Sequence, residues 1–204
     1  MAIEHNSIGA GEIHEPKGAA TALSGNVYVA DGAGSGVWGS GFTQSIEDFN
    51  HAGVALTPAA ATKTKVLNDA AGAFTNTAYK IPGRANTWVP ASNHFDWAAA
   101  GLVLGDSVDI RFDFTVTTSG ANDDVVIGLD VGVGSPGPYS LEVNRREWRL
   151  AGTYAYTTYY GIYMGDSNTL DFPTEVTVTA GTGSDTILCN GWYVRTSLQK
   201  SVLV

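Results

Sequence analysis

A stretch of strict two-residue alternation between residues 107 and 118 constrains the fold of this chain more than any other feature. Val108, Ile110, Phe112, Phe114 and Val116 share one face, and polar or charged side chains fill the positions between them. Successive side chains of an extended strand point to opposite faces, so the pattern predicts a strand with one buried and one wet face. Such a half-buried strand is typical of an antiparallel sheet.

Further short strands are predicted along the rest of the chain. A second alternating run covers residues 125–133, and the connection at 119–123 predicts a hairpin between the two runs. The other strands are predicted at residues 26–30, 139–143, 147–151, 154–163, 175–180 and 186–198. A short helical turn is predicted at 43–49, with Thr43 as its cap and with Ile46 and Phe49 facing inward. Together these patterns predict an all-β fold, an antiparallel β-sandwich or jelly roll.

The first fifty residues differ in composition from the rest of the chain. They are rich in Gly, Ala and Ser, and their isoleucines are spaced too irregularly for an amphipathic helix. We therefore predict an extended N-terminal arm over residues 1–50 and one β-sandwich domain over residues 51–204. An arm with little core of its own must be ordered by contacts with a partner.

Composition argues against two classes of partner. The chain carries 20 acidic and 11 basic residues, a net charge of -9, whereas nucleic-acid binding depends on clustered Lys and Arg. The short basic cluster at Arg145, Arg146 and Arg149 is interrupted and is interpreted as a solvated or interface strand. No apolar run approaches the roughly 20 residues of a membrane span, and the N-terminus lacks the pattern of a signal peptide. We expect synthesis in the cytoplasm, with neither nucleic acid nor membrane as a partner.

No catalytic, cofactor or metal motif is evident. Cys189 is the single cysteine, and its apolar neighbours predict a small buried side chain rather than a nucleophile. The glycine-rich segment 31–36 lacks the Gly-Lys-Ser or Gly-Lys-Thr ending of a phosphate loop, and no Gly-x-Ser-x-Gly nucleophile motif is present. Asp31 and the Asp123-Asp124 pair are interpreted as turn residues rather than calcium ligands. We predict that the chain is not an enzyme and binds no cofactor or metal ion.

Aromatic residues concentrate in one predicted strand, and two interpretations of them remain open. Tyrosine is enriched at subunit interfaces, so the strand is a candidate interface. Alternatively, stacked rings could bind the apolar face of a sugar, as in receptor recognition. The candidate residues for either role are Trp148, Tyr154, Tyr156, Tyr159, Tyr160, Tyr163 and Trp192.

The N-terminal segment from Glu15 to Ala19, followed by the segment from Gly25 to Trp38, resembles the N-terminal segment of tailed-bacteriophage head decoration, head fibre and tail fibre proteins. The resemblance covers about a quarter of the chain. The remaining region looks like trimeric jelly rolls with a tumour necrosis factor-like architecture. The resemblance implies that the arm binds the virion, and the candidate attachment residues are Ile8, Ile13, Pro16, Lys17, Val27, Tyr28, Val29 and Trp38.

The resemblance implies two main functions. In the first, the chain is a capsid decoration (cement or head fibre) protein on the outer surface of the phage head, which binds the major capsid protein and stabilises the head as a homotrimer. In the alternative, it is a tail fibre or spike protein whose tip binds a host glycan. A free lectin-like or hydrolytic β-sandwich is the third and weakest interpretation.

Overall fold

The computed structural model describes residues 26–30, 36–40, 44–121 and 123–199. The described residues divide into two compact units, residues 26–40 and residues 44–199. The smaller unit contains strands β1 (Asn26–Ala30) and β2 (Gly36–Ser40), which pair antiparallel with Tyr28 opposite Trp38. The strand predicted at residues 26–30 is thus confirmed.

The larger unit is built from two antiparallel sheets. Its strands, in chain order, are β3 (Gln44–Asn50), β4 (Thr64–Lys65), β5 (Trp88–Val89), β6 (His94–Phe95), β7 (Ser107–Thr118), β8 (Asp123–Val131), β9 (Tyr139–Trp148), β10 (Gly152–Tyr163), β11 (Thr174–Ala180) and β12 (Thr186–Ser197). One sheet has the order β10-β7-β12-β3, and the other has the order β5-β6-β11-β8-β9, with β4 also paired to β11. The predicted all-β antiparallel sandwich is confirmed.

A single short helix, α1 (Ser167–Asp171), is found among the described residues and connects β10 to β11. Asp166 is its N-cap, because the carboxylate oxygen Oδ1 accepts a hydrogen bond of 2.8 Å from the backbone N–H of Thr169. That backbone hydrogen bond lowers the pKa of the Asp166 carboxyl. The helix therefore begins directly after its capping residue, three residues beyond the end of β10.

The core lies between the two sheets and follows the predicted alternation. The five apolar residues of β7 that share a face are all buried, and so are Val125, Ile127, Leu129 and Val131 of β8. The predicted bounds of β7 agree with the observed ones, and the strands predicted at 154–163, 175–180 and 186–198 are confirmed to within two residues. The strand predicted at 139–143 extends to Trp148 as β9, which is interrupted by a β-bulge opposite Ile127 and Gly128. The separate strand predicted at 147–151 is wrong, because residues 149–151 lie in the bend between β9 and β10.

The helical turn predicted at residues 43–49 is wrong, because residues 44–50 form strand β3. This strand pairs antiparallel with β12, and Ser45, Glu47 and Phe49 face inward with a period of two, while Ile46 is only partly buried. Pairing with a neighbouring strand has overridden the local helical preference. Residues 44–50 thus belong to the sandwich, although the predicted arm extended to residue 50.

The hairpin predicted between residues 107–118 and 125–133 is also wrong. β7 pairs with β10 and β12, whereas β8 pairs with β9 and β11, so the connection between them crosses from one sheet to the other. Two buried carboxylates hold this crossing: Asp123 accepts from the backbone N–H of Gly120 at 2.8 Å, and Asp185 accepts from that of Ser119 at 2.9 Å. The apolar rows of β7 and β8 therefore lie in opposite sheets.

Trp192 is fully buried in the core, and a β-bulge in β12 puts it there. Its ring contacts Trp88 at 5.0 Å and Phe112 at 5.9 Å between centroids. Ile187 and Cys189 face inward at odd positions, but the register shifts between Cys189 and Gly191, so that Trp192 faces inward at an even position. The bulge therefore places the Trp192 side chain in the core.

We predict that Gly191→Ala destabilises the folded state by about 1–3 kcal/mol. Residue 191 has φ of 150°, and an added Cβ would lie 2.5 Å from the Phe49 carbonyl oxygen. Gly161→Ala on β10 is the matched control, because a Cβ there would meet its nearest neighbour at an ordinary 3.4 Å. Urea unfolding of both variants checks the prediction, which fails if the two lose equal stability.

Glu47 makes the unfolding free energy depend on pH, because burial is the main cause that raises its pKa above the ordinary 4.5. The folded state holds this proton more tightly than the unfolded state, so stability is lost as pH rises from about 4.5 through the folded pKa. We predict that Glu47→Gln removes this loss of stability with rising pH. The difference in the free energy of unfolding between the native chain and the variant, measured at several pH values, isolates the contribution of Glu47. A difference that does not change with pH would refute the prediction.

Candidate functional site

The residues that sequence reasoning weighed for chemistry have structural roles where they are described. Cys189 is buried, and burial raises the pKa of its thiol well above the ordinary value. Asp124 forms an ion pair with Arg145 at 2.7 Å, and Asp123 accepts the backbone hydrogen bond given above. In the described residues, no group of three or more His, Cys, Asp or Glu side chains could hold a metal ion. Asp31 lies outside the described residues.

The aromatic candidates divide into a buried group and an exposed group. Trp192 lies in the core, and Trp148 and Tyr156 are also buried within the subunit, so none of these three candidates presents its ring on the surface of the subunit. Tyr154 and Tyr160 are partly buried against the core. Tyr159 and Tyr163 are 69% and 61% exposed, respectively, and lie on the outer face of β10. These two alone of the seven present most of their rings to a partner.

Trp148, Tyr154 and Tyr156 form an aromatic cluster near one end of the sandwich. Trp148 stacks on Tyr154 at 5.7 Å and meets Tyr156 edge-on at 5.5 Å between ring centroids. The Arg146 guanidinium lies over both Trp148 and Tyr156, and the Tyr154 hydroxyl donates to the Leu150 carbonyl at 2.8 Å. Burial raises the pKa of the Tyr156 hydroxyl. The cluster therefore closes the β9–β10 connection, which is a structural role.

The outer face of the four-stranded sheet carries a row of side chains that we call the Tyr159 row. Tyr159 of β10 is opposite Arg111 of β7, Arg111 is opposite Tyr193 of β12, and Tyr193 is opposite Asp48 of β3. The Arg111 guanidinium lies 5.4 Å from the centre of the Tyr193 ring. Arg111 also forms an ion pair of 2.8 Å with Asp113. The row thus combines aromatic rings with paired charges across the full width of the sheet.

Sequence reasoning missed Arg111, Tyr193 and Asp48, because they lie on three different strands. Their positions within each strand follow from alternation, but their alignment depends on the registers of three strand pairs. Partial burial, the main cause, raises the pKa of the Asp48 carboxyl, and the Arg111 charge opposes it. Only the assembled sheet brings these groups together.

Strands β9 and β10 lie on edges of the two sheets, and the two strands differ sharply in charge. Among the described strands, β10 pairs only with β7 and β9 pairs only with β8. β9 carries Glu142, Arg145, Arg146 and Glu147, whereas residues 150–165, which include all of β10, contain no charged side chain. Charged residues on an edge discourage pairing with another chain, and an uncharged edge does not. The exposed edge of β10 is therefore suited to contact with protein.

The candidate attachment residues can be placed only in part. Ile8, Ile13, Pro16 and Lys17 lie outside the described residues. Val27, Tyr28 and Val29 belong to strand β1, and Trp38 belongs to β2. Tyr28 is exposed, with 36% of its surface accessible. The assignment of these residues to capsid attachment stays a prediction.

No protein-family model matches the sequence, and no curated protein matches it significantly. Among the helices of the described residues, none is long and apolar enough to cross a membrane. The site must therefore be interpreted from its own geometry.

We predict that Cys189 does not react with a thiol reagent in the folded chain. The thiol is buried and held protonated by its raised pKa, so the reactive thiolate is scarce and inaccessible. Absorbance of a chromogenic disulfide reagent should show labelling only when urea unfolds the protein. Rapid labelling of one thiol per chain without denaturant would contradict this assignment.

Proposed function

We propose that this chain is a bacteriophage capsid decoration protein, in which the N-terminal arm binds the major capsid protein and the β-sandwich forms a homotrimer on the outside of the head. The observation that carries the proposal is the uncharged edge strand β10 with the exposed rings of Tyr159 and Tyr163. A long edge strand of this kind would be an aggregation hazard on an isolated subunit. Contact with neighbouring copies would cover it.

Strand pairing supports the jelly-roll form of the sandwich. β8 pairs with β9, β7 pairs with β10, β6 and β4 pair with β11, and β3 pairs with β12. When β4, β5 and β6 are counted as one strand position, the chain has eight strand positions from β3 to β12. The first pairs with the last, the second with the second last, and so on inward, as in one long hairpin. Folding this hairpin over gives two sheets with four strand positions each. A double Greek key arranged in two sheets is the plan of a jelly roll.

Two features support a separate attachment arm. The hairpin of β1 and β2 belongs to a different compact unit from the sandwich. The resemblance to phage head and tail proteins is confined to this N-terminal part of the chain. A short hairpin of two strands is at best marginally stable alone, so contacts with a capsid protein would supply the missing free energy.

The alternative function is a spike whose face binds a host glycan, and the Tyr159 row is the observation that favours it. An exposed tyrosine ring offers a stacking surface for the apolar face of a sugar, and the neighbouring Arg111 and Asp113 offer a donor and acceptors for its hydroxyls. The same exposed ring also serves a protein contact, which is the role that we favour, because the uncharged edge continues along the whole of β10.

Cryo-electron microscopy of the intact particle, with light scattering of the isolated chain, tests the location and the oligomeric state. We expect trimers across the head lattice, with density for the segment before residue 43 laid over the major capsid protein. Trimers restricted to the tail or to sparse projections would favour the spike alternative. A stable monomer that is absent from the particle would refute both.

We predict that Tyr159→Asp combined with Tyr163→Asp converts the isolated trimer to monomers. Each change puts a charge on the uncharged edge, where it would have to be desolvated on assembly. Tyr79→Asp is the matched control, because Tyr79 is 70% exposed beside β3, away from β10. Multi-angle light scattering gives the masses. A trimer in both variants would exclude this edge as the interface.

A further inference from the structure

A small cavity lies inside the sandwich unit, between the four-stranded sheet and two connecting segments. Its empty volume is about 190 Å³, part of which is open to solvent, and its narrow interior has room for about one water molecule. Strands β3 and β12 and the segments 81–87 and 100–102 supply its lining, which comprises Ser45, Glu47, Ile81, Arg84, Ala85, Thr87, Ala100, Leu102 and Thr196. The proposed decoration function makes no use of this cavity.

Two buried polar groups at the cavity have unmet hydrogen-bonding capacity. The Thr87 hydroxyl has no hydrogen-bond partner of good geometry in the described residues, although it lies close enough to the Glu47 carboxyl to lower its pKa. Among the described residues, the hydrogen bonds of good geometry to the Glu47 carboxyl come from the backbone N–H of Thr87, at the long distances of 3.2 and 3.3 Å. Both residues are more than nine-tenths buried. Buried polar groups in proteins are normally satisfied by protein or by ordered water.

The chemistry of the lining favours a neutral occupant over a cation. All the side-chain ligands it could offer a metal ion are oxygens, but Glu47 is the single carboxyl among them, and the Arg84 guanidinium already supplies a positive charge. Burial also favours the neutral form of Glu47, and a bound cation would require the ionised form. A water molecule both donates and accepts, so it fits a carboxyl beside a hydroxyl.

The strand beside the cavity explains why a bridge is needed at this point. The backbone N–H of Asp48 donates to the Asn76 carbonyl at 2.8 Å, and that of Ile46 donates to the Tyr79 carbonyl at 3.3 Å. After residue 79 the chain leaves the edge of β3 and returns at Thr87, whose backbone reaches the Glu47 side chain. The cavity occupies the space between the strand and this detour.

We infer that the cavity binds one ordered water molecule, which donates to the Glu47 carboxyl and accepts from the Thr87 hydroxyl, and that Arg84 is its lid. The Arg84 side chain lies over Gly101, where an added Cβ would be 3.1 Å from the guanidinium Nε. Ala85 and Arg84 are the more exposed members of the lining, so the opening lies on their side. The water would join the edge of the sheet to the 81–87 segment.

A crystal structure of the full chain at a resolution that shows ordered water tests the site, together with Thr87→Val and Thr87→Ser. We expect one water peak within hydrogen-bond distance of Glu47 in the native chain and in Thr87→Ser, and its loss in Thr87→Val, which removes the hydroxyl but keeps the shape. An empty cavity in the native chain would overturn the inference. A peak with five or six oxygen ligands at metal distances would overturn it in favour of a cation.

Magnetisation transfer from water to the backbone amide of Thr87 in solution tests whether the water is bound there and whether the Arg84 side chain slows its exchange. The native chain should show a direct water cross-peak at this amide that Thr87→Val lacks. Arg84→Ala should shorten the residence time of the water without removing the crystallographic peak. An unchanged residence time in Arg84→Ala would refute the role of Arg84 as a lid, and an equal cross-peak in Thr87→Val would refute the bridge itself.

Discussion

Burial of two apolar rows, one from β7 and one from β8, is the interaction on which the rest of the structure depends. The rows belong to opposite sheets and are almost completely inaccessible to solvent. Each fully buried Val, Leu, Ile or Phe side chain contributes about 1.5–3 kcal/mol relative to an exposed one, so these rows stabilise the fold more than any ion pair on the surface.

The connections between the sheets depend on this central contact. β7 and β8 can face each other only if the short segment between them crosses the core edge, and Asp123 and Asp185 accept the backbone N–H groups exposed by that crossing. Buried carboxylates without such donors would be costly. Their use here shows that the crossing is a specified part of the fold, held by backbone hydrogen bonds at the loop rather than by the turn sequence alone.

Alternation of apolar residues was enough to predict the long strands β7 and β8 but not their partners. The bounds of β7 could be predicted because successive side chains of a strand point to opposite faces of the sheet. The strand therefore extends as far as apolar and polar residues alternate. The same alternation occurs whether two strands lie side by side or face to face, so the hairpin between β7 and β8 was predicted wrongly. Likewise, the sequence of the short segment 43–49 is compatible with one helical turn. Only the pairing of residues 44–50 with β12 shows that they form a strand, β3.

The candidate site was predictable in composition and unpredictable in geometry. The concentration of tyrosine in β10 is visible in the sequence, and alternation alone separates outward Tyr159 and Tyr163 from inward Tyr156. Trp192 could not be placed in this way, because the bulge at Gly191 shifts the inward-facing positions of β12 from odd to even residue numbers. The Tyr159 row was also hidden, since it depends on registers across four strands.

The contrast between the two edge strands follows from the separation of core and surface. Because the inward faces of β9 and β10 already contribute to a closed core, their outward residues are not needed to stabilise the subunit. β9 uses this freedom for charges that pair with one another and with Asp124, whereas β10 carries none. An edge that is left uncharged, and whose exposed rings have no part in the subunit core, gains from contact with another protein surface. A strand edge that served folding alone would be expected to carry charges as β9 does, so the uncharged edge of β10 is the feature on which the proposal of assembly rests.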